Sequence, residues 1–164
     1  MKTLLLMRHA KSSWGNPALS DHDRPLNKRG EGACRLIGSF LSEQGIFPDQ
    51  IISSTATRAK DTVAGLLETL SAEGDVTYTR ELYHADVDTL LEQLQTLPDE
   101  IEIVMLVGHN PGMDDFLDVI CDEQEHMPTA AIAEIEFDIS HWQELTDHTP
   151  AELKHLWKPK EIRK

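Results

Sequence analysis

The chain has 164 residues, 40% hydrophobic and 27% charged, with 15 Lys and Arg against 29 Asp and Glu for a formal net charge of −14. That length and composition fit one ordinary domain with a hydrophobic core, and exclude a disordered or membrane-spanning chain. The acidity argues against nucleic acid and anionic membrane as partners, because both need a basic surface.

Thr3-Leu4-Leu5-Leu6-Met7 is a short, wholly apolar run, the pattern of a strand buried on both faces. A polar loop follows from Ser12 to Pro25. Asn27 is placed to cap a helix over residues 28–44, where Ala33, Leu36, Ile37, Phe40 and Leu41 form a stripe at helical spacing and Gly45 ends it. Gln50–Ser53 reads as a second strand, Ala56–Leu70 as a second helix, and Val76–Arg80 as a third strand. Val87–Leu97 reads as a third helix. Ile101–Val107 is the most apolar stretch and is expected to be a central strand. Pro111–Cys121 reads as a helix with proline in its first turn, and Ala130–Ile139 alternates as a strand, leaving a short tail element. Strands alternating with helices give an α/β domain with a mainly parallel sheet, expected to fill residues 1–164 as one domain.

Cys34 and Cys121 have no metal or redox spacing, which excludes a disulfide scaffold and fits a reducing compartment. The run Leu4–Met7 is shorter than a signal peptide needs, and a membrane helix takes about 20 apolar residues, so a cytoplasmic protein is expected.

The charge is strongly segregated. Residues 1–80 hold ten basic and nine acidic side chains; residues 81–153 hold nineteen acids and no Lys or Arg; the last eleven hold five bases and one acid. An anionic ligand must therefore be handled by the N-terminal half, with Arg8, Lys11, Arg24, Lys28, Arg29 and Arg58 as the available cations. Open parallel sheets place ligand sites beyond the carboxyl ends of their strands. Strand one ends in Met7-Arg8-His9-Ala10, the second runs through Ser53-Ser54-Thr55-Ala56-Thr57-Arg58 into a helix, and the central strand ends Val107-Gly108-His109-Asn110-Pro111. Two arginines and two histidines thus converge on one edge. A guanidinium reads phosphate oxygens bidentately, a helix N-terminus offers free N–H groups to the same anion, and an imidazole there can attack phosphorus.

These blocks also carry a family resemblance. Leu-Met-Arg-His-Ala at 6–10 resembles the Arg-His-Gly signature of the histidine phosphatase (phosphoglycerate-mutase-like) superfamily, with Ala10 in place of Gly. Residues 53–62 are similar to its second arginine block and 107–111 to its second histidine block. Asp23-Arg24-Pro25-Leu26-Asn27-Lys28-Arg29-Gly30 narrows the likeness to SixA-type phosphohistidine phosphatases. The resemblance implies a three-layer α/β/α sandwich, phosphoglycerate-mutase-like, with a mainly parallel central sheet. It implies that His9 is the nucleophile, forming a covalent phosphohistidine that water hydrolyses, and that Arg8, Arg58 and His109 surround the phosphoryl oxygens. No metal or other cofactor is expected, because arginines supply the positive charge. Glu81 sits near where larger members carry a proton-donating carboxylate; His84 is the lesser candidate. Arg24, Lys11 and Ser12 are candidate substrate contacts, although Arg24 is equally placed to pin its loop through Asp21 or Asp23.

The function expected is therefore hydrolysis of a phosphoryl group, on a protein phosphohistidine in signal transduction or on a small phosphorylated substrate, with neither nucleic acid nor membrane as partner. A chain of this length lacks room for long substrate-covering insertions, which favours the protein-borne group. The alternatives are a small-molecule phosphomonoesterase of the same superfamily, a non-catalytic phosphohistidine-binding regulatory module, and a metallohydrolase built on the histidines and acids. Asp114, Asp115, Asp118, Asp122, Glu123 and Glu125 do not have calcium-loop spacing and read as a solvated face. His22, His126, His141, His148 and His155 read as surface or packing residues.

Overall fold

An all-apolar strand must be covered on both faces, and the computed structural model, described over residues 1–71 and 75–162, shows how. The strands are β1 (Lys2–Arg8), β2 (Gln50–Ser54), β3 (Val76–Thr79), β4 (Ile103–Gly108), β5 (Ile132–Phe137) and β6 (Ala151–Trp157). They form one six-stranded sheet in the order β3-β2-β4-β1-β5-β6. β1, β2, β3 and β4 run parallel, while β5 and β6 are antiparallel additions beside β1. The helices are α1 (Lys28–Gln44), α2 (Thr57–Leu67), α3 (Val87–Gln95) and α4 (Gly112–Cys121).

Because side chains alternate across a strand, β1 feeds two separate cores. Leu4 and Leu6 join Val104, Leu106, Ile135 and Phe137 beneath Leu90, Leu94, Phe116 and Leu117 of α3 and α4. Leu5 and Met7 join Ile51, Met105 and Val107 against Ile37, Leu41, Val63 and Leu66 of α1 and α2. Burial of each such aliphatic side chain stabilises the fold by about 1.5–3 kcal/mol, so the sheet is fixed from both sides. This is the expected α/β architecture with a mainly parallel sheet.

The helix signals operate as anticipated. Asn27 Oδ1 accepts from Gly30 N at 2.8 Å, and Gly45 ends α1 in the left-handed region at φ 72°. α2 and α3 end earlier than expected, at Leu67 and Gln95, and the tail forms the full strand β6 instead of a short element. The signal there is weak because β6 is an edge strand whose side chains are mostly exposed or half-buried. Its Trp157 packs edge-on against Phe40 of α1, ring centroids 5.2 Å apart. No helix of the described residues is long and apolar enough to cross a membrane.

For function, register matters most. Arg8 pairs with Gly108, and Ser53 pairs with Val107, so β1, β2 and β4 end together. His9, Ser54 and His109 are thereby delivered to one edge.

Candidate active site

His9, the first residue beyond β1, is held by backbone and side chain. Its N–H donates to the Gly108 carbonyl at 2.9 Å, and its carbonyl accepts from Ala130 N at 3.0 Å. Nδ1 lies 2.7 Å from the Ala10 carbonyl. A carbonyl can only accept, so Nδ1 carries the proton and Nε2 keeps its lone pair. Thr62 of α2 locks this turn, its Oγ1 accepting from Ala10 N at 2.9 Å and donating to the Arg58 carbonyl at 2.7 Å. One hydroxyl thus ties the strand end at His9 to the helix turn that carries Arg58.

Arg58 is buried and its Nε points at His9 Nε2 from 3.4 Å. Its Nη2 lies 3.4 Å from His109 Nδ1, so that nitrogen accepts and His109 Nε2–H donates to Ser54 Oγ at 2.9 Å. The His9 and His109 rings are 5.0 Å apart. Burial, helped by Arg58, Arg8 and Arg24, lowers the pKa of His9 to about 4 despite the opposing pull of the Ala10 carbonyl. Burial, together with His9, Arg58 and His84, lowers that of His109 to about 3. Both rings are therefore neutral in the unliganded protein at neutral pH.

Arg8 donates from Nη1 to the Met127 carbonyl at 3.1 Å, while its buried Nε has no hydrogen-bond partner among the described residues. Buried donors without partners are rare, and in an arginine on a site wall this one is suited to an anionic oxygen. Burial lowers the Arg8 pKa, with the Asp114 charge opposing. Arg24 does what the sequence allowed for both ways. It pairs with Asp21 at 2.8 Å, donates to Ser13 O and Ser12 Oγ, and still lines the cleft.

Arg8, His9, Lys11, Ser12, Arg24, Arg58 and His109 line one open cleft of about 350 Å³, together with Trp14, His84, Asn110 and Thr129. Glu81 is not among these residues. It lies exposed in a 3-10 turn, Arg80–Leu82, and lines an adjoining shallow depression with Arg80, Tyr83, Asp86, Thr89 and His84, the residue that depression shares with the cleft. That turn directs the chain so that His84 lines the cleft and Glu81 does not. Asn16, between Gly15 and Pro17, accepts from Ala18 N within its own turn.

Tyr83 and Ser54 were given no role from sequence, and Asp21 only that of a candidate partner for Arg24. Asp21 accepts from Arg58 Nη2 at 3.0 Å, from Arg24 Nη1 at 2.8 Å and from the Tyr83 hydroxyl at 2.5 Å. The Tyr83 hydrogen bond, then those of Arg58 and Arg24, hold its carboxyl far below the usual range against some desolvation. Tyr83 stacks edge-on against His109 and His22, and Ser54 anchors His109. His22, read as a surface or packing residue, is half-buried and bonded to Thr55 Oγ1 at 2.9 Å. The only available signal was proximity in sequence to Arg24, His84 and the second arginine block.

A profile of the histidine phosphatase superfamily (branch 1) matches residues 4–109, which include both histidines and both arginines. The chain belongs to the histidine phosphatase superfamily. A chloroplastic protein of Arabidopsis thaliana is 32% identical over 153 residues, covering 87% of this chain and 70% of the relative. The chain also covers 65% of a relative from Mycobacterium leprae. Among solved structures, the candidate phosphohistidine phosphatase SixA of Agrobacterium tumefaciens superposes with a TM-score of 0.82 at 28% identity, covering 96% of this chain and 98% of that one. The corresponding protein of Nakamurella superposes at 0.83 with 29% identity, covering 96% of each chain. This histidine phosphatase therefore has the phosphoglycerate-mutase-like fold that its sequence motifs implied, and its membership supports phosphatase activity.

Proposed function

We propose that this chain hydrolyses protein phosphohistidine through a covalent phospho-His9 intermediate, without a metal. The observation that carries the reading is the state of His9: Nδ1 protonated against Ala10 O, Nε2 unprotonated and beside Arg58. In the first half-reaction the Nε2 lone pair forms a bond to phosphorus while the bond from phosphorus to the leaving atom breaks. The resulting phospho-His9 ring is cationic because Nδ1 keeps its proton. Water then attacks phosphorus, the electron pair returns to Nε2, and inorganic phosphate leaves.

Arg8, Arg58 and His109 hold the phosphoryl oxygens, with Arg24 at the cleft wall. Three guanidinium groups in a partly desolvated site supply the charge stabilisation for which a metal is otherwise used. The likeness to proteins bearing the SixA name supports the phosphohistidine assignment. So does the openness of the cleft, which admits a side chain presented on a protein. The acid-rich stretch 81–153 repels bulky polyanions over the screening distance of about 10 Å at 0.1 M salt.

The test compares wild type with His9→Ala on a phosphohistidine peptide and on p-nitrophenyl phosphate, with trapping of acid-labile phosphate on the enzyme. Label on wild type alone, with hydrolysis lost in His9→Ala and unaffected by chelator, is the expected result. Hydrolysis that survives the substitution overturns the mechanism. Turnover restricted to small esters moves the substrate assignment to the phosphomonoesterase alternative.

A further inference from the structure

Phosphoryl transfer to His9 leaves a basic nitrogen or oxygen behind, and the residue expected to protonate it, Glu81, lies outside the cleft. The cleft itself contains few groups able to donate a proton. Arginine and lysine side chains ordinarily stay protonated through neutral pH. Asp21 is held ionised by Tyr83, Arg58 and Arg24. His9 is the nucleophile in the reading above, and His109 gives its one proton to Ser54. His84 remains.

Its placement is specific. His84 adopts φ 59°, a left-handed conformation uncommon among non-glycine residues, although His, Asn and Asp take it more often than the rest. Conformations of this kind cost about 1–3 kcal/mol and persist where the surroundings impose them. Here the imposed turn sets the imidazole on the rim of the cleft, against the Tyr83 ring at 4.0 Å and 6.0 Å from the His109 ring. Its Nε2 lies 4.0 Å from Asp21 Oδ2, a carboxylate suited to a protonated imidazole. The side chain is 62% exposed, so solvent can restore its proton. The groups facing it are Asp21, Tyr83 and His109, and the Arg58 guanidinium lies behind Asp21.

We infer that His84 is the general acid of this site. The inference rests on the phospho-His9 reading and adds the fate of the proton. As Nε2 of His9 bonds to phosphorus and the phosphorus–nitrogen or phosphorus–oxygen bond of the substrate breaks, the departing atom takes the electron pair. The leaving group then receives the His84 proton, on the free ring nitrogen of an imidazole or on the oxygen of an alcohol or phenol. In the second half-reaction water gives its hydroxide to phosphorus and its proton to His84, which restores the starting state.

The variant His84→Asn removes the proton while keeping a residue that tolerates the left-handed backbone; His84→Gly serves the same purpose if Asn does not fold. The readout is kcat/KM for phenyl phosphate, whose leaving group needs a proton, against p-nitrophenyl phosphate, whose leaving group departs as the anion. Phenyl phosphate turnover is expected to fall about 10²-fold or more while p-nitrophenyl phosphate falls less than about tenfold, within the range general acids supply. An equal fall for both esters, or no fall for phenyl phosphate, overturns the inference. His9→Ala, assayed alongside, reports on the underlying mechanism independently: activity surviving there sinks the phospho-His9 reading itself.

Discussion

Asp21 grips Arg58 at two points, its backbone carbonyl accepting from Nη1 at 2.6 Å and its carboxylate from Nη2 at 3.0 Å. The guanidinium therefore cannot swing away from the histidines, and its Nε stays directed at His9. In the proposed mechanism Arg58 holds the phosphoryl group, so the role of Asp21 is positioning: it fixes the geometry of Arg58. Asp21→Ala is expected to lower kcat/KM about 10- to 100-fold, the scale of a displaced catalytic contact. Asp21→Asn retains a hydrogen-bonding oxygen and should fall less. The loss in stability is expected to be about 1–2 kcal/mol, below the 3–5 kcal/mol or so of a fully buried pair because the carboxylate is half-exposed. The carboxyl titrates below its ordinary value, so its contribution is complete above about pH 4 and is lost only on further acidification. Urea unfolding at neutral pH is the suitable measurement.

The two site histidines, like Asp21, weaken the fold on acidification, but over a higher pH range. With pKa values lowered to about 4 for His9 and about 3 for His109, the folded state binds fewer protons than the unfolded state between those values and the ordinary imidazole value near 6.5. Their contribution to stability is thus full above about pH 6.5 and is lost progressively as pH falls toward 4 and 3. Imidazole carbon-bound proton shifts followed by NMR are expected to show both rings neutral at pH 5. Binding of phosphate or tungstate brings negative charge beside them, so it should raise both pKa values and draw protons from solvent. Calorimetric titrations in two buffers of different ionisation enthalpy will detect that uptake, and an unchanged heat would contradict it.

The sheet and the convergence of His9, Arg58 and His109 were legible because β1 and β4 are apolar runs, and they and the shorter β2 lead into chemistry-bearing residues. Parallel register does the rest, since Arg8 paired with Gly108 necessarily sets His9 and His109 side by side. Asp21 was harder to assign, because its effect depends on a 3-10 turn of three residues folding back over α2. Which side of its turn Glu81 occupies was not legible for a similar reason. Counting residues from the end of β3 gives the right neighbourhood, but the 3-10 turn decides which side chain faces the cleft, and that turn has no hydrophobic period to reveal it. The acceptor for His9 Nδ1 is a backbone carbonyl, which no side-chain pattern can disclose.

Trp14 is 77% exposed, yet the Arg24 guanidinium lies over its ring at 3.2 Å. An exposed tryptophan at the lip of a phosphate cleft offers an aromatic surface to whatever carries the phosphoryl group. Trp14→Ala is expected to raise KM several-fold for a phosphohistidine protein and to leave kcat/KM for p-nitrophenyl phosphate within about twofold, since exposed cation–π pairs contribute only about 0.5–1 kcal/mol. Equal effects on both substrates would instead assign Trp14 to holding Arg24.

Gly112 opens α4 at a close backbone approach to the turn that carries His84. A Cβ at Gly112 would lie 2.2 Å from the carbonyl oxygen of Ala85, which is backbone and cannot rotate aside. Gly112→Ala must therefore push α4 away from the 83–86 turn, and overpacking of this kind costs about 1–3 kcal/mol. The displacement falls on residues bonded directly to His84, so activity toward phenyl phosphate should drop together with stability. Gly32 supplies the internal comparison. It sits in α1 with nothing within 4 Å of a Cβ, so Gly32→Ala gains helix propensity without a clash and is expected to stabilise by about 0.5–1 kcal/mol. Opposite signs in thermal unfolding for the two glycine-to-alanine changes are the expected result. Matching signs would mean that α4 can retreat freely, and that the His84 turn is not held by its contact with Gly112.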